Sequence, residues 1–197
     1  MCIRDSIDIA KKIASLMPKV GYDSQRFGWY DVVERVLGKD EKYHRYAWHD
    51  RKAWWQQEQG ILAYLILQGH MPDNQEYKKY AEESAAFYNA FFLDNNDGGV
   101  YFNVLANGVP YLVGTERYKG SHSMSAYHST ELCFLSTIYI DLMIKKRPLN
   151  LYFKPMPNGF KDRLLRVAPD ILPKDSLYIS KCEIDGKEHS DYDSKTM

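Results

Sequence analysis

Two stretches of this chain combine residues that move protons with residues that bind flat, polar molecules. The first is "KGSHSMSAYHSTEL", residues 119–132, where His122 and His128 stand among serines and a threonine just before a strongly apolar segment. The second is "RKAWWQQEQGILAYL", residues 51–65, where Trp54 and Trp55 precede Glu58 by about one helical turn. Imidazole titrates near neutrality, so it accepts a proton in one state and donates it in the other. Tryptophan and tyrosine offer flat apolar faces with polar tips. A carboxylate among them can hold a hydroxyl or orient a histidine, so the set suits acid–base chemistry on a sugar-like molecule.

Each residue also has a plainer explanation. Beside Ser125 and Ser129, His128 fits the cap of an ordinary helix, and residue types alone favour that explanation. A first-turn histidine also feels the positive end of the helix dipole, which disfavours imidazolium and keeps a neutral base available. Adjacent helical positions are about 100° apart, so Trp54 and Trp55 cannot both face one pocket. Glu58 suits a site and a solvated helix face equally. His122 fits a surface position better than a pocket wall, and its spacing from His128 brings no third ligand, so neither a metal nor a cofactor is expected. His44, His49, His70 and His189 fit loops or turns.

Composition narrows the partner. Lys plus Arg total 26 and Asp plus Glu total 26 in 197 residues, so no global field recruits nucleic acid or an anionic membrane. Aromatics make up 14% of the chain, with 16 Tyr and 4 Trp, which favours a small carbohydrate-like ligand. Three cysteines, Cys2, Cys133 and Cys182, form neither a disulfide framework nor a zinc pattern. The longest apolar run, within 132–144, is too short to cross a bilayer, and no secretory signal opens the chain. A soluble cytoplasmic protein is expected, with self-association into a homo-oligomer left open.

The elements that must position these residues follow from periodicity and turn chemistry. Residues 7–17 have helical spacing, stopped by Pro18. "FGWYDVVERV" (27–36) predicts a short strand or hairpin arm, and 37–50 a polar loop. A helix is predicted from about Arg51 to Gln68 with Asp50 as N-cap, and a second, antiparallel to it, from about Gln75 to Leu93. "VYFNVL" reads as a strand paired with "YLVG" across the turn "ANGVP". A third long helix is predicted for about 126–145, closed by Pro148, followed by proline-punctuated β-like runs with a turn at Asp185-Gly186. No internal repeat stands out.

Taken in order, "RKAWWQQEQGILAYL", "DNNDGGVYFNVLANG" (94–108) and "KGSHSMSAYHSTEL" resemble segments of the N-acylglucosamine 2-epimerase and cellobiose 2-epimerase superfamily, over roughly 20–147. The resemblance implies a mainly α fold: the C-terminal half of an incomplete (α/α)6 barrel, a six-hairpin toroid, with short β-hairpins and a β-rich C-terminal extension. "MCIRDS" (1–6) resembles a translated sequencing adaptor, which would make 7–147 the barrel part and 148–197 an extension, both cut from a longer protein.

The activity implied is that of a sugar 2-epimerase or aldose/ketose isomerase, removing and returning a proton beside the carbonyl of a ring-opened sugar. His128 then takes a catalytic role, and Trp54, Trp55, Glu58, His122 and Tyr127 line the substrate site. The family's second histidine lies in a Gly-His-x-x-Glu motif before the tryptophan pair. This sequence has none; "GHMPD" (69–73) follows the pair and places His70 in a turn. The fragment alone is therefore expected to be inactive. "SHSMSA" before Tyr127 also departs from the tryptophan or lysine of many relatives, which leaves the sugar undefined. Two other functions remain open: an (α/α)-barrel glycoside hydrolase pairing Glu58 with Asp97 or Glu131, and a non-catalytic carbohydrate-binding module.

Overall fold

The structure is a computed structural model that describes residues 3–119, 123–167, 172–173 and 175–194. His122, expected to line the site, lies outside the described residues. The chain divides into two compact units, 1–137 and 138–197. The first contains α1 (Ile3–Val20), β1 (Arg51–Ala53), α2 (Trp54–His70), α3 (Gln75–Phe91), β2 (Asn103–Leu105) and nearly all of α4 (Tyr127–Ile138). Among the described residues no closed barrel forms, and no helix is long and apolar enough to cross a membrane.

α2 and α3 run antiparallel, as their contacts show: Glu58 near the start of α2 meets Tyr88 near the end of α3, and Tyr64 further along meets Tyr80 and Tyr77. Asn74 caps α3 by accepting from the Glu76 N–H at 3.1 Å. Trp29 is wedged between the two helices. Its indole donates to Ser84 Oγ at 2.9 Å and stacks on Tyr64 at 5.3 Å, while Gln57 clamps its backbone from both sides at 2.7 Å. Only a glycine leaves room for it, because a Cβ at Gly60 would lie 2.4 Å from the indole nitrogen. Gly60→Ala should therefore cost about 1–3 kcal/mol by overpacking, outweighing the roughly 1 kcal/mol of helix propensity gained. Chemical denaturation of the variant checks this.

Four local expectations are corrected. Pro18 does not stop α1, which runs on to Val20; the Ala14 carbonyl that lacks a helical donor because of Pro18 accepts from Tyr64 Oη at 2.9 Å instead. Asp50 does not cap α2. Residues 51–53 are drawn into a ladder with β2, pairing Arg51 with Leu105 and Ala53 with Asn103, so Ala53 stands at the cap without a side-chain bond and the Trp54 N–H donates to Phe102 O. Nor does "YLVG" form a strand, because after Tyr111 bonds Asn103 O the chain loops out until Phe102 bonds Tyr118 O. Residues 27–36 likewise form only isolated bridges, Trp29 with Tyr22 and Val33 with Tyr46.

The backbone contains a repeat that the sequence hides. After α1, Asp23 accepts from the N–H groups of Gln25 and Arg26, Asp23 N donates to Gly28 O, and Tyr30 N to Gly21 O. After α3, Asp94 accepts from Asn96 and Asp97, Asp94 N donates to Gly99 O, and Tyr101 N to Phe92 O. Both loops turn through two successive left-handed residues, Phe27-Gly28 and Gly98-Gly99. A lysine from the segment leading to the next helix pins each: Lys52 Nζ reaches Asp23 Oδ2 at 2.9 Å and Phe27 O at 2.5 Å, and Lys119 Nζ reaches Asp94 Oδ2 and Gly98 O, both at 2.8 Å. Two helix–loop–helix modules thus follow one another, joined by the β1–β2 ladder.

Burial pushes the Asp23 carboxyl up, but Lys52 and the Gln25 and Arg26 N–H groups together hold it below the usual range; Asp94 is held down by its bond to Lys119 and by the N–H groups of Asp97 and Asn96. A carboxylate with a depressed folded value stabilises the fold above its unfolded value, about 3.9, and that contribution disappears as pH falls through the folded value. The first unit should therefore lose stability below about pH 4, and Asp94→Asn should flatten part of that acid limb in unfolding midpoints measured against pH.

The second unit opens at Ile138 and continues through a π-helical turn, Tyr139–Ile144, so the α-helix predicted for 126–145 changes hydrogen-bonding pattern partway. Among its described residues the only ladder is β3 (Glu183–Ile184) with β4 (Lys187–Glu188). It is turned at Asp185-Gly186, both left-handed as a two-residue type I′ hairpin requires.

Candidate functional site

The first turn of α4 lies beside the first turns of α2. The β1–β2 ladder sets where α2 begins, and the Asp94–Lys119 loop holds the chain that leads to α4. His128 therefore meets both tryptophans: its ring centroid is 6.3 Å from Trp54, edge on, and 6.0 Å from Trp55, tilted by 31°. The tryptophans divide their work. Trp54 is 3% exposed and packs on Phe102 within the core, whereas Trp55 is 40% exposed. Tyr127, also exposed, lies edge on to His128 at 5.0 Å, and the His128 side chain itself keeps 30% exposure. A half-open imidazole among one buried and two exposed aromatic rings is the centre of the candidate site.

Beneath it lies Glu58, fully buried. One oxygen, Oε1, accepts from Tyr88 Oη and from Ser129 Oγ, each at 2.5 Å, while Oε2 has no partner among the described residues. Burial pushes this carboxyl up, partly offset by the two hydroxyl bonds and by nearby His128. Burial and the bond to Glu58 push the Tyr88 phenol up as well, so it stays a donor. The indole Nε1 of Trp54 is likewise buried without a partner among the described residues. An acceptor and a donor are thus left unsatisfied beside the imidazole, and such groups normally find a partner in water or ligand.

A second layer faces outward. Glu131 lies one turn after His128, with Oε2 3.8 Å from Nδ1, and Gln59 Nε2 reaches both Glu131 Oε2 at 2.8 Å and His128 Nδ1 at 3.2 Å. Tyr127 Oη contacts the other Glu131 oxygen at 3.4 Å.

The solvated alternative for Glu58 is overturned by its complete burial, and Trp54, Trp55, Glu58, Tyr127 and His128 come together. Asp97 instead lies exposed in the loop pinned by Lys119, with its N–H on Asp94. His44 bonds Glu34 O, and His189 contacts Asp191 O. His70 is not in the turn but is the last residue of α2. Among the described residues no three His, Cys, Asp or Glu side chains converge as a metal centre. Sequence reasoning missed Gln59, Ser129 and Tyr88. Ser129 adjoins His128 and Gln59 follows Trp55 by one turn, so both had a local signal; Tyr88 becomes visible only once α2 and α3 are in register.

No family model and no curated protein matches the chain at the sequence level. Solved structures do. One described as a D-mannose isomerase matches with a TM-score of 0.52 and 18% identity, over 67% of this chain and 30% of its own. Another, described as a sugar epimerase from a ruminal bacterium, matches with a TM-score of 0.51 and 13% identity, over 68% of this chain and 31% of its own. Both belong to the N-acylglucosamine 2-epimerase superfamily that the sequence resembles, and the chain spans less than a third of their length. The two helix–loop–helix modules accordingly have the fold of part of an (α/α)6 barrel.

Proposed function

We propose that this chain is part of a sugar 2-epimerase or aldose/ketose isomerase, and that His128 is one of its proton-transfer groups. The observation that carries this reading is the imidazole itself, held at the first turn of α4 beside Trp54 and Trp55, near a buried carboxylate with one oxygen unpartnered among the described residues. Trp55 offers an exposed face for the apolar side of a sugar, and Glu58 Oε2 and Trp54 Nε1 offer an acceptor and a donor to its hydroxyls. The reaction removes the proton from the carbon beside the carbonyl, whose electron pair forms the enediolate, and returns a proton to the opposite face or to the neighbouring carbon. Imidazole suits either half of that exchange.

Proton delivery to two faces takes a second acid–base group, and no other described histidine adjoins His128. The chain alone is accordingly inactive, and the activity belongs to a protein that also supplies the remaining helices. Its substrate is a small, uncharged carbohydrate. A raised carboxyl such as Glu58 also suits the general acid of a glycosidase, with Glu131 as its partner. Product analysis on the barrel-complete protein separates the two: an epimer or ketose of unchanged mass supports the proposal, whereas shorter saccharides contradict it.

A further inference from the structure

Gln59 stands between His128 and Glu131. Its Nε2 lies 2.8 Å from Glu131 Oε2 and 3.2 Å from His128 Nδ1, whereas Glu131 itself comes no closer than 3.8 Å to that nitrogen. An ionised carboxylate can only accept, so the amide group facing Oε2 must be the NH2 and not the carbonyl. Glu131 thereby decides an orientation that amide shape alone leaves open. The remaining N–H of that NH2 meets Nδ1, which must present its lone pair. Neutral imidazole carries one proton, and it is left with Nε2.

We propose that Gln59 is a positioning residue that holds neutral His128 as the Nε2–H tautomer, with Glu131 fixing the amide. The tautomer stands on this geometry; its catalytic meaning rests on the proposed function. In the resting form Nε2 offers a donor to a sugar oxygen. Taking a proton from carbon at Nε2 needs the Nδ1–H form, for which Gln59 must turn its carbonyl to the ring and give up Glu131. The ring that takes a proton at Nε2 and the imidazolium that gives it back both carry Nδ1–H, so Gln59 must turn before His128 performs either half of the exchange.

The test is a long-range proton–nitrogen correlation spectrum of the chain with 15N-labelled histidine, at a pH where the ring is neutral, with the His128→Asn spectrum identifying the signal. Slow exchange of the Trp29 indole N–H, bonded to Ser84, reports that the first unit is folded. The expected result is one tautomer, protonated at Nε2, in the parent chain. Gln59→Glu, whose carboxylate accepts from Nδ1–H, should move the proton to Nδ1, and Gln59→Met should give a mixture. A parent ring protonated at Nδ1 or divided between tautomers overturns the proposal, as does a tautomer unchanged in both folded variants; if neither variant folds, the parent spectrum decides. Absent sugar turnover by the barrel-complete protein with the stated tautomer contradicts the proposed function alone, and the wrong tautomer with that turnover intact contradicts this assignment alone.

Discussion

Lys52→Ala is expected to destabilise the first unit by about 3–5 kcal/mol, the range for removing one partner of a buried ion pair. Lys52 and Asp23 are 0% and 4% exposed at the side chain, and Lys52 Nζ also holds Phe27 O and lies 4.0 Å above the Phe87 ring. Burial pushes the ammonium down to about 8 despite Asp23, which still leaves it charged at neutral pH. Alanine would strand a carboxylate and a carbonyl where water does not reach. Lys119 repeats these bonds at the surface, with 31% of its side chain exposed, so Lys119→Ala should cost much less although the drawn interactions match. Urea denaturation of the two variants measures the contrast; equal losses would contradict the claim that burial, and not bond count, sets the cost.

His128→Ala should lower kcat of the barrel-complete protein by about 10²–10⁴ while leaving KM nearly unchanged, because a positioned acid–base group acts in the transition state and binds the ground state little. Trp55→Ala should do the reverse, raising KM through the loss of an exposed stacking face. The His128 side chain is 30% exposed and not part of the buried core, so its removal should leave the unfolding midpoint close to the parent value. Steady-state kinetics on folded variants separate these outcomes. A His128→Ala protein with unaltered kcat would remove His128 from the mechanism.

The long helices were legible because their information is local. Ile61, Leu62 and Leu65 recur at helical spacing. The ends were not legible where distant backbone decides them. Asp50 had the right chemistry for a cap, but residues 51–53 pair with 103–105, and no local pattern announces a ladder formed across two helices. The repeat stayed hidden because it conserves hydrogen bonds and not residue types: Phe27 and Gly98 share a left-handed conformation, and apart from Asp, Gly and Lys few side chains coincide.

The candidate site divides in the same way. Tryptophan, glutamate and histidine were legible by chemical type, and the resemblance brought them together before the structure did. The neutral partners were not. Nothing about Tyr88 in sequence connects it to Glu58, since that bond depends on how α3 returns along α2. Gln59 sits inside the quoted tryptophan segment, yet an amide attracts attention only when its neighbours are an imidazole and a carboxylate.

The most direct test of the account follows solvent deuterium into the sugar during turnover by the barrel-complete protein. Deuterium appearing at the carbon beside the carbonyl, at a rate that falls when His128 is replaced, is the predicted result. Saturable sugar binding with that carbon remaining fully protonated would contradict it.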